Sequence, residues 1–155
     1  MGLYFPPSKR VNLILMTKTP LNRSVIGIVP AAGRATRLPN RDCSKELLPI
    51  DTHNDDGGSV RPRLLSEDLV GAMVEAGAES ICMVIAPDKN DIVRHYGSGH
   101  RHGVSISYLC QDHATGMSDA IDIAYPWLRD ATVLMGMPDT IVRPQHSLAS
   151  ARNLL

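Results

Sequence analysis

Four short apolar runs dominate the pattern of this chain. Residues 25–29 (VIGIV), 81–86 (ICMVIA), 104–109 (VSISYL) and 132–135 (TVLM) are rich in β-branched side chains. Only the third shows partial alternation, through Ser105 and Ser107. Such runs read as strands buried on both faces. Between them lie stretches with helical spacing. Residues 64–76 place Leu69, Met73 and Ala76 on one face, with Val70 and Val74 beside them. Ser66 reads as the N-cap of this helix, Glu67 and Asp68 suit the positive end of its dipole, and Gly77 supplies the stop. Residues 88–96 read as a second helix, capped by Asp88 and ended by Gly97. Residues 116–125 read as a third, stopped by Pro126, and residues 144–155 as the start of a fourth.

Strands that alternate with helices predict an α/β fold. The expected architecture is a Rossmann-like parallel sheet of about four strands with helices on both faces. Met73, Met83, Met117, Met135 and Met137 read as core packing. Residues 31–49 form a loop punctuated by Gly, Arg and Pro, and residues 53–59 (HNDDGGS) a polar turn. Residues 1–24 read as an N-terminal extension that need not be ordered, because Pro6, Pro7 and Pro20 interrupt it and no period persists. The regular domain is then 25–155. A chain of 155 residues suits one such domain.

Charge and cysteine usage narrow the partners. The net charge is zero, but residues 1–41 carry seven Lys/Arg and no acid. A basic segment of this kind suits either a phosphate site or a solvated tail. Nucleic-acid binding is not expected, since the chain offers no aromatic stacking platform and no reading motif. No apolar run approaches the ~20 residues of a membrane span, so no membrane partner is expected. Cys43, Cys82 and Cys110 are odd in number, far apart and without CxxC spacing. They read as free thiols in a reducing, cytoplasmic setting. His100, His102 and His113 with Cys110 are irregularly spaced and read as an exposed loop rather than a zinc site. Asp51, Asp55 and Asp56 read as a solvated turn.

In a parallel sheet, ligands sit at the carboxyl ends of the strands. The loop after the first strand is Pro30-Ala31-Ala32-Gly33-Arg34-Ala35-Thr36-Arg37-Leu38, followed by Ser44-Lys45-Glu46-Leu47-Leu48-Pro49-Ile50. Its small residues let backbone N–H groups approach an anion. Arg37 offers a planar fork for phosphate oxygens and Lys45 a mobile point charge. Neither GxxxxGK[ST] nor GxGxxG is present, which excludes the Walker A loop and the dinucleotide fingerprint.

AAGRATRL and SKELLPI together resemble the signature of the sugar-1-phosphate nucleotidyltransferases, and the second segment is most similar to the glucose-1-phosphate thymidylyltransferase branch. Two later segments fit the same resemblance. Gln111 to Ala120 (QDHATGMSDA) is similar to the family's Q-x4-G-[LM]-x-x-A segment, and Gly136-Met137-Pro138-Asp139 stands where that family has its GDN segment, with two residues inserted. One position departs from the pattern: Ala35 replaces the family's second glycine, placing a methyl group beside the expected phosphates. The resemblance runs from about residue 25 to the C-terminus and corresponds to the first half of the family's catalytic domain.

What the resemblance implies is a reaction. A sugar 1-phosphate oxygen attacks the α-phosphorus of a nucleoside triphosphate, dTTP or UTP being indicated, and pyrophosphate leaves. Arg37 would clamp the leaving pyrophosphate and Lys45 would sit on the α-phosphate or the sugar phosphate. Ala31, Ala32 and Gly33 would line the nucleotide, Gln111 would read the base, and Gly116 would let the base lie against backbone. Asp139 would hold Mg2+. Each residue also has a plainer reading: Gln111 as a strand-end partner for backbone, Gly116 as a helix start, Asp139 as a turn cap before Thr140. The alternative function is a truncated nucleotide-binding fragment or regulatory module without turnover. The partially complete sheet leaves homo-oligomerisation open.

Overall fold

Side-chain alternation along each central strand divides the protein into two cores, one on each face of a parallel sheet. The computed structural model describes residues 14–15, 23–33, 43–54, 60–113, 115–141 and 146–153. In chain order these form β1 (Ile14–Leu15), β2 (Val25–Pro30), β3 (Pro49–Asn54), β4 (Val60–Leu64), α1 (Leu65–Glu75), β5 (Ser80–Ile85), α2 (Asn90–Tyr96), β6 (Ser105–Cys110), α3 (Met117–Leu128), β7 (Thr132–Met135) and α4 (Ser147–Arg152). Single 3-10 turns occur at Lys45–Leu47 and His100–His102.

The main sheet has the order β1-β7-β2-β5-β6. The strands β7, β2, β5 and β6 pair in parallel, as the sequence predicts. The register sets Ile28 of β2 opposite Cys82 on one side and Met135 on the other. The carboxyl ends of β2, β5 and β7 therefore open onto the same rim of the sheet.

On one face Val25, Val29, Ile81, Met83, Ile85 and Leu134 pack with Leu69 and Met73 of α1, Ile92 and Tyr96 of α2, and Leu148 of α4. On the other, Ile28, Val84, Val133 and Met135 pack with Ala120, Ala124 and Leu128 of α3. Each large side chain fully buried in these clusters contributes about 1.5–3 kcal/mol. Small residues let the layers approach. A Cβ on Gly27 would lie 2.8 Å from Met73 Sδ and 2.9 Å from Ile81 Cγ1. Gly27→Ala is therefore expected to overpack the α1 face and cost about 1–3 kcal/mol. A lower urea midpoint at unchanged m-value is the result that checks it; an unchanged midpoint would show that α1 retreats freely.

Several local expectations are corrected. Ser66 is not the N-cap: the helix begins two residues earlier than such a cap requires, at Leu65, Leu64 holds the cap position, and Ser66 is buried with its hydroxyl 2.6 Å from the Tyr96 hydroxyl. Only the reciprocal half of a capping box forms, with Leu64 N–H donating to Glu67 Oε2 at 3.0 Å. Asp88 is not the cap of α2, because Lys89 occupies that position. Pro126 does not stop α3, which runs to Leu128. Ala120, Ala124 and Leu128 recur every fourth residue on the buried face, so burial of Leu128 carries the helix one turn past the proline. Pro126 itself faces outward between exposed Tyr125 and Trp127.

The region expected to be loop and turn contains an antiparallel hairpin, β3 with β4. Its strands carry Pro49, Pro62 and several charges, the composition of exposed strands rather than of a core, so no hydrophobic period marks it. Asp51 lies in β3, whereas Asp55 and Asp56 fall outside the described residues. Met73, Met83 and Met135 are buried as expected, but Met117 is exposed at the start of α3. Within the 1–24 segment, Ile14–Leu15 pairs antiparallel with β7 at the sheet edge.

Candidate active site

The rim formed by β2 and β7 brings together residues far apart in sequence. Ala31 N–H donates to Val84 O at 2.7 Å and Gly136 N–H to Ile28 O at 3.3 Å, which extends the sheet into both loops. Ala31 and Ala32 are buried and Gly33 is exposed. Across from them Lys45 Nζ donates to Asp139 Oδ2 at 2.7 Å. Lys45 Nζ also lies 4.0 Å from the position a Cβ on Gly33 would take. Gly33, Lys45 and Asp139 thus meet at one place. The Lys45–Asp139 pair is partly exposed, with side-chain accessibilities of 23% and 38%. Its two charges neutralise each other and remain open to an incoming anion or cation. Arg37, together with Arg34, Ala35 and Arg41, lies outside the described residues.

Four residues to which sequence reasoning gave no role hold Lys45 in place. Glu46, its neighbour, is buried and receives Lys89 Nζ at 2.8 Å and 2.9 Å on its two carboxylate oxygens. The same ammonium donates to Ala31 O at 2.6 Å. Lys89 therefore ties the loop after β2, the Lys45 turn and the start of α2 into one unit. On the other side of Lys45, Ser44 donates through its backbone N–H (2.6 Å) and its hydroxyl (2.8 Å) to the Asp91 carboxylate. Nothing in the sequence pairs residue 46 with 89 or 44 with 91, since only the crossover of β5 into α2 brings them close. Lys89 follows the apolar run of β5, and a charge there was the one available signal.

Partial burial of Asp91 raises its carboxyl pKa. The hydrogen bonds from Ser44 and from its own helix's Ile92 N–H outweigh that and hold it below the usual carboxylate range. The sign follows from linkage: a depressed folded-state pKa stabilises above the unfolded value, and the contribution is lost as pH falls through the folded one. Wild type is therefore expected to exceed Asp91→Asn in stability at neutral pH, with the difference holding down to about pH 4 and shrinking as pH falls further toward the depressed folded value. Urea midpoints of both proteins across pH 3–7 would check this; a difference that stays constant would contradict it.

A second group of polar residues sits at the end of β6. Gln111 is buried, with its backbone N–H on Ile85 O at 2.9 Å. Its side-chain amide nitrogen lies 2.7 Å from Asp119 Oδ2, 3.1 Å from Gly116 O and 3.3 Å from Thr115 Oγ1. These contacts orient the amide, with its nitrogen as the donor. Bonds from Thr115 and Gln111 keep the Asp119 carboxyl below its ordinary range. Gly116 caps α3 at φ +118°, a conformation side chains rarely adopt, and a Cβ there would meet nothing within 4 Å. The space beside the Gly116 Cα is open among the described residues. Gly116 thus starts α3, the plainer of its two readings.

The remaining candidates scatter. His100 and His113 are exposed, as is Cys110, whose thiol contacts Asp112. His102 instead turns toward His95 and Glu67. All three cysteines are free. Among the described residues no helix is long and apolar enough to cross a membrane. Asp139 fits Mg2+ as a single hard carboxylate donor, since that ion keeps several waters and takes the rest of its shell from phosphate.

No protein-family model matches the chain. A glucose-1-phosphate thymidylyltransferase of Neisseria meningitidis serogroup A is 30% identical over 118 residues, covering 74% of this chain and 38% of that protein. A crystal structure of a Bacillus anthracis protein described as a glucose-1-phosphate thymidylyltransferase, solved with sucrose, matches with a TM-score of 0.66 and 24% identity. It covers 76% of this chain and 45% of the other. The chain thus spans less than half the length of each protein. Sequence and fold together bear out the resemblance carried by AAGRATRL and SKELLPI to the sugar-1-phosphate nucleotidyltransferase family, this chain being similar to one part of a glucose-1-phosphate thymidylyltransferase.

Proposed function

We propose that this site transfers a nucleotidyl group from a nucleoside triphosphate, dTTP or UTP, to a sugar 1-phosphate, with release of pyrophosphate. The observation that carries the reading is the meeting of Lys45 and Asp139, 94 residues apart, at 2.7 Å beside Gly33. A phosphoryl-transfer site needs little covalent chemistry from the protein, and positioning and charge neutralisation do most of the work. Lys45 would exchange Asp139 for a phosphate oxygen. Asp139, so released, would hold Mg2+, which when bound neutralises charge on the triphosphate. Arg37 would take the leaving pyrophosphate. Gln111 would accept from the base through its carbonyl oxygen, with the base lying over Gly116.

A second reading rests on the chain's coverage of only 38% and 45% of the two similar proteins. On that reading the chain binds the triphosphate and does not turn it over. Calorimetric titration with dTTP, UTP, ATP and GTP, with and without Mg2+, followed by a pyrophosphate-release assay with glucose 1-phosphate, separates the two. Pyrimidine triphosphate binding with turnover supports transfer. Binding without turnover supports the second reading, and no binding of any triphosphate would overturn both.

A further inference from the structure

We propose that Glu67, His95 and His102 form a second metal site, for a zinc-class divalent ion, that staples α1 to α2 and the 3-10 turn behind it. The proposal does not depend on the nucleotidyl-transfer reading. One ligand atom from each residue lies within 4.8 Å of the other two, and all three side chains are partly exposed. His95 Nε2 and Glu67 Oε1 are 3.2 Å apart. Tetrahedral zinc, with bonds of about 2.0–2.2 Å, spaces its ligands by about 3.3–3.6 Å. That pair is thus already at ligand spacing, and a side-chain rotation of His102 closes the set.

The surroundings orient these groups. Leu64 N–H fixes the second Glu67 oxygen at 3.0 Å, the kind of outer contact that aims a ligating carboxylate. Both imidazoles pack on the ring of buried Tyr96, with centroids at 4.7 Å for His95 and 4.9 Å for His102. The turn carrying His102 is pinned by its own N–H to Gly99 O at 2.8 Å. A His95–Glu67 ion pair alone would not involve the His102 ring nitrogens. Arg61 Nη1 lies 3.7 Å from Glu67 Oε1 on an exposed strand, a long and half-exposed contact that a dication on the carboxylate would displace. Two imidazoles and one carboxylate are a donor set for zinc-class ions rather than for Mg2+ or Ca2+, and water supplies the fourth ligand.

The test uses the whole chain carrying Cys43→Ser and Cys110→Ser, which removes the two exposed thiols as competing ligands. Zn2+ is titrated calorimetrically, and Co2+ replaces it as a spectroscopic probe. The expected result is one equivalent of Zn2+, intense tetrahedral Co2+ absorption, and a melting temperature that rises with Zn2+ concentration. His102→Gln and Glu67→Gln, checked for intact secondary structure by circular dichroism, should each weaken Zn2+ binding by at least roughly tenfold. The Co2+ spectrum of the parent chain reports the site even where a variant fails to fold. Absence of stoichiometric binding, a weak octahedral Co2+ spectrum, or Zn2+ affinity unchanged in folded His102→Gln would overturn the proposal.

Discussion

Lys89→Met is expected to destabilise the protein by about 3–5 kcal/mol, the largest single-residue effect outside the apolar cores. The ammonium of Lys89 is buried against both oxygens of buried Glu46 and against Ala31 O. Removing it leaves a carboxylate in the interior without its counter-charge and a carbonyl without its donor. With urea m-values of about 1–3 kcal/mol per molar, the midpoint should fall by more than ~1 M. The double variant Lys89→Met/Glu46→Leu should recover most of the loss, because replacing both charges of a buried pair by apolar groups is often near neutral. A Lys89→Met protein within about 1 kcal/mol of wild type would mean that water reaches Glu46. A double variant no better than the single would mean that the pair's bond to Ala31 O, not its charge balance, matters most.

Lys45→Ala should behave in the opposite way. The Lys45–Asp139 pair is partly exposed, and such pairs contribute about 0–1 kcal/mol, so stability should hardly change. Under the proposed function, loss of this preorganised cation should lower pyrophosphate release by roughly 10²–10³-fold. Asp139→Asn should cause a comparable loss, but one that higher Mg2+ partly offsets, because the missing charge is a metal ligand. Turnover of Lys45→Ala within threefold of wild type would remove Lys45 from the site. The two lysines, 45 and 89, flank the same turn yet divide function from stability, since one charge faces solvent and the other is enclosed.

The strand runs and their intervening helices are legible in the sequence alone. Val25, Ile28 and Val29, or Ile81, Met83 and Val84, leave no polar face, and a strand of that kind is stable only inside a layered sheet. The motif at Lys45 and the acid at Asp139 were readable for a related reason: both follow strands, and parallel strands deliver their loops to one rim. The β3–β4 hairpin was not readable. Apart from Ile50, Val60 and Leu64 its residues are polar or proline, and its pairing rests on backbone hydrogen bonds that leave no period in the sequence.

Local rules also lost wherever burial competed with them. Ser66 has the chemistry of a cap, yet its hydroxyl meets Tyr96 inside the protein. Pro126 has the chemistry of a stop, yet the buried Leu128 beyond it keeps the helix going. The amino-acid order by itself determined the layered α/β fold and the loops that gather at its rim, because hydrophobic period and strand direction are properties of contiguous residues. Tertiary structure alone decided that Lys89 answers Glu46, that Ser44 leans on Asp91 and that Glu67 meets His95 and His102, because charge and donor pairing depend on distance in space.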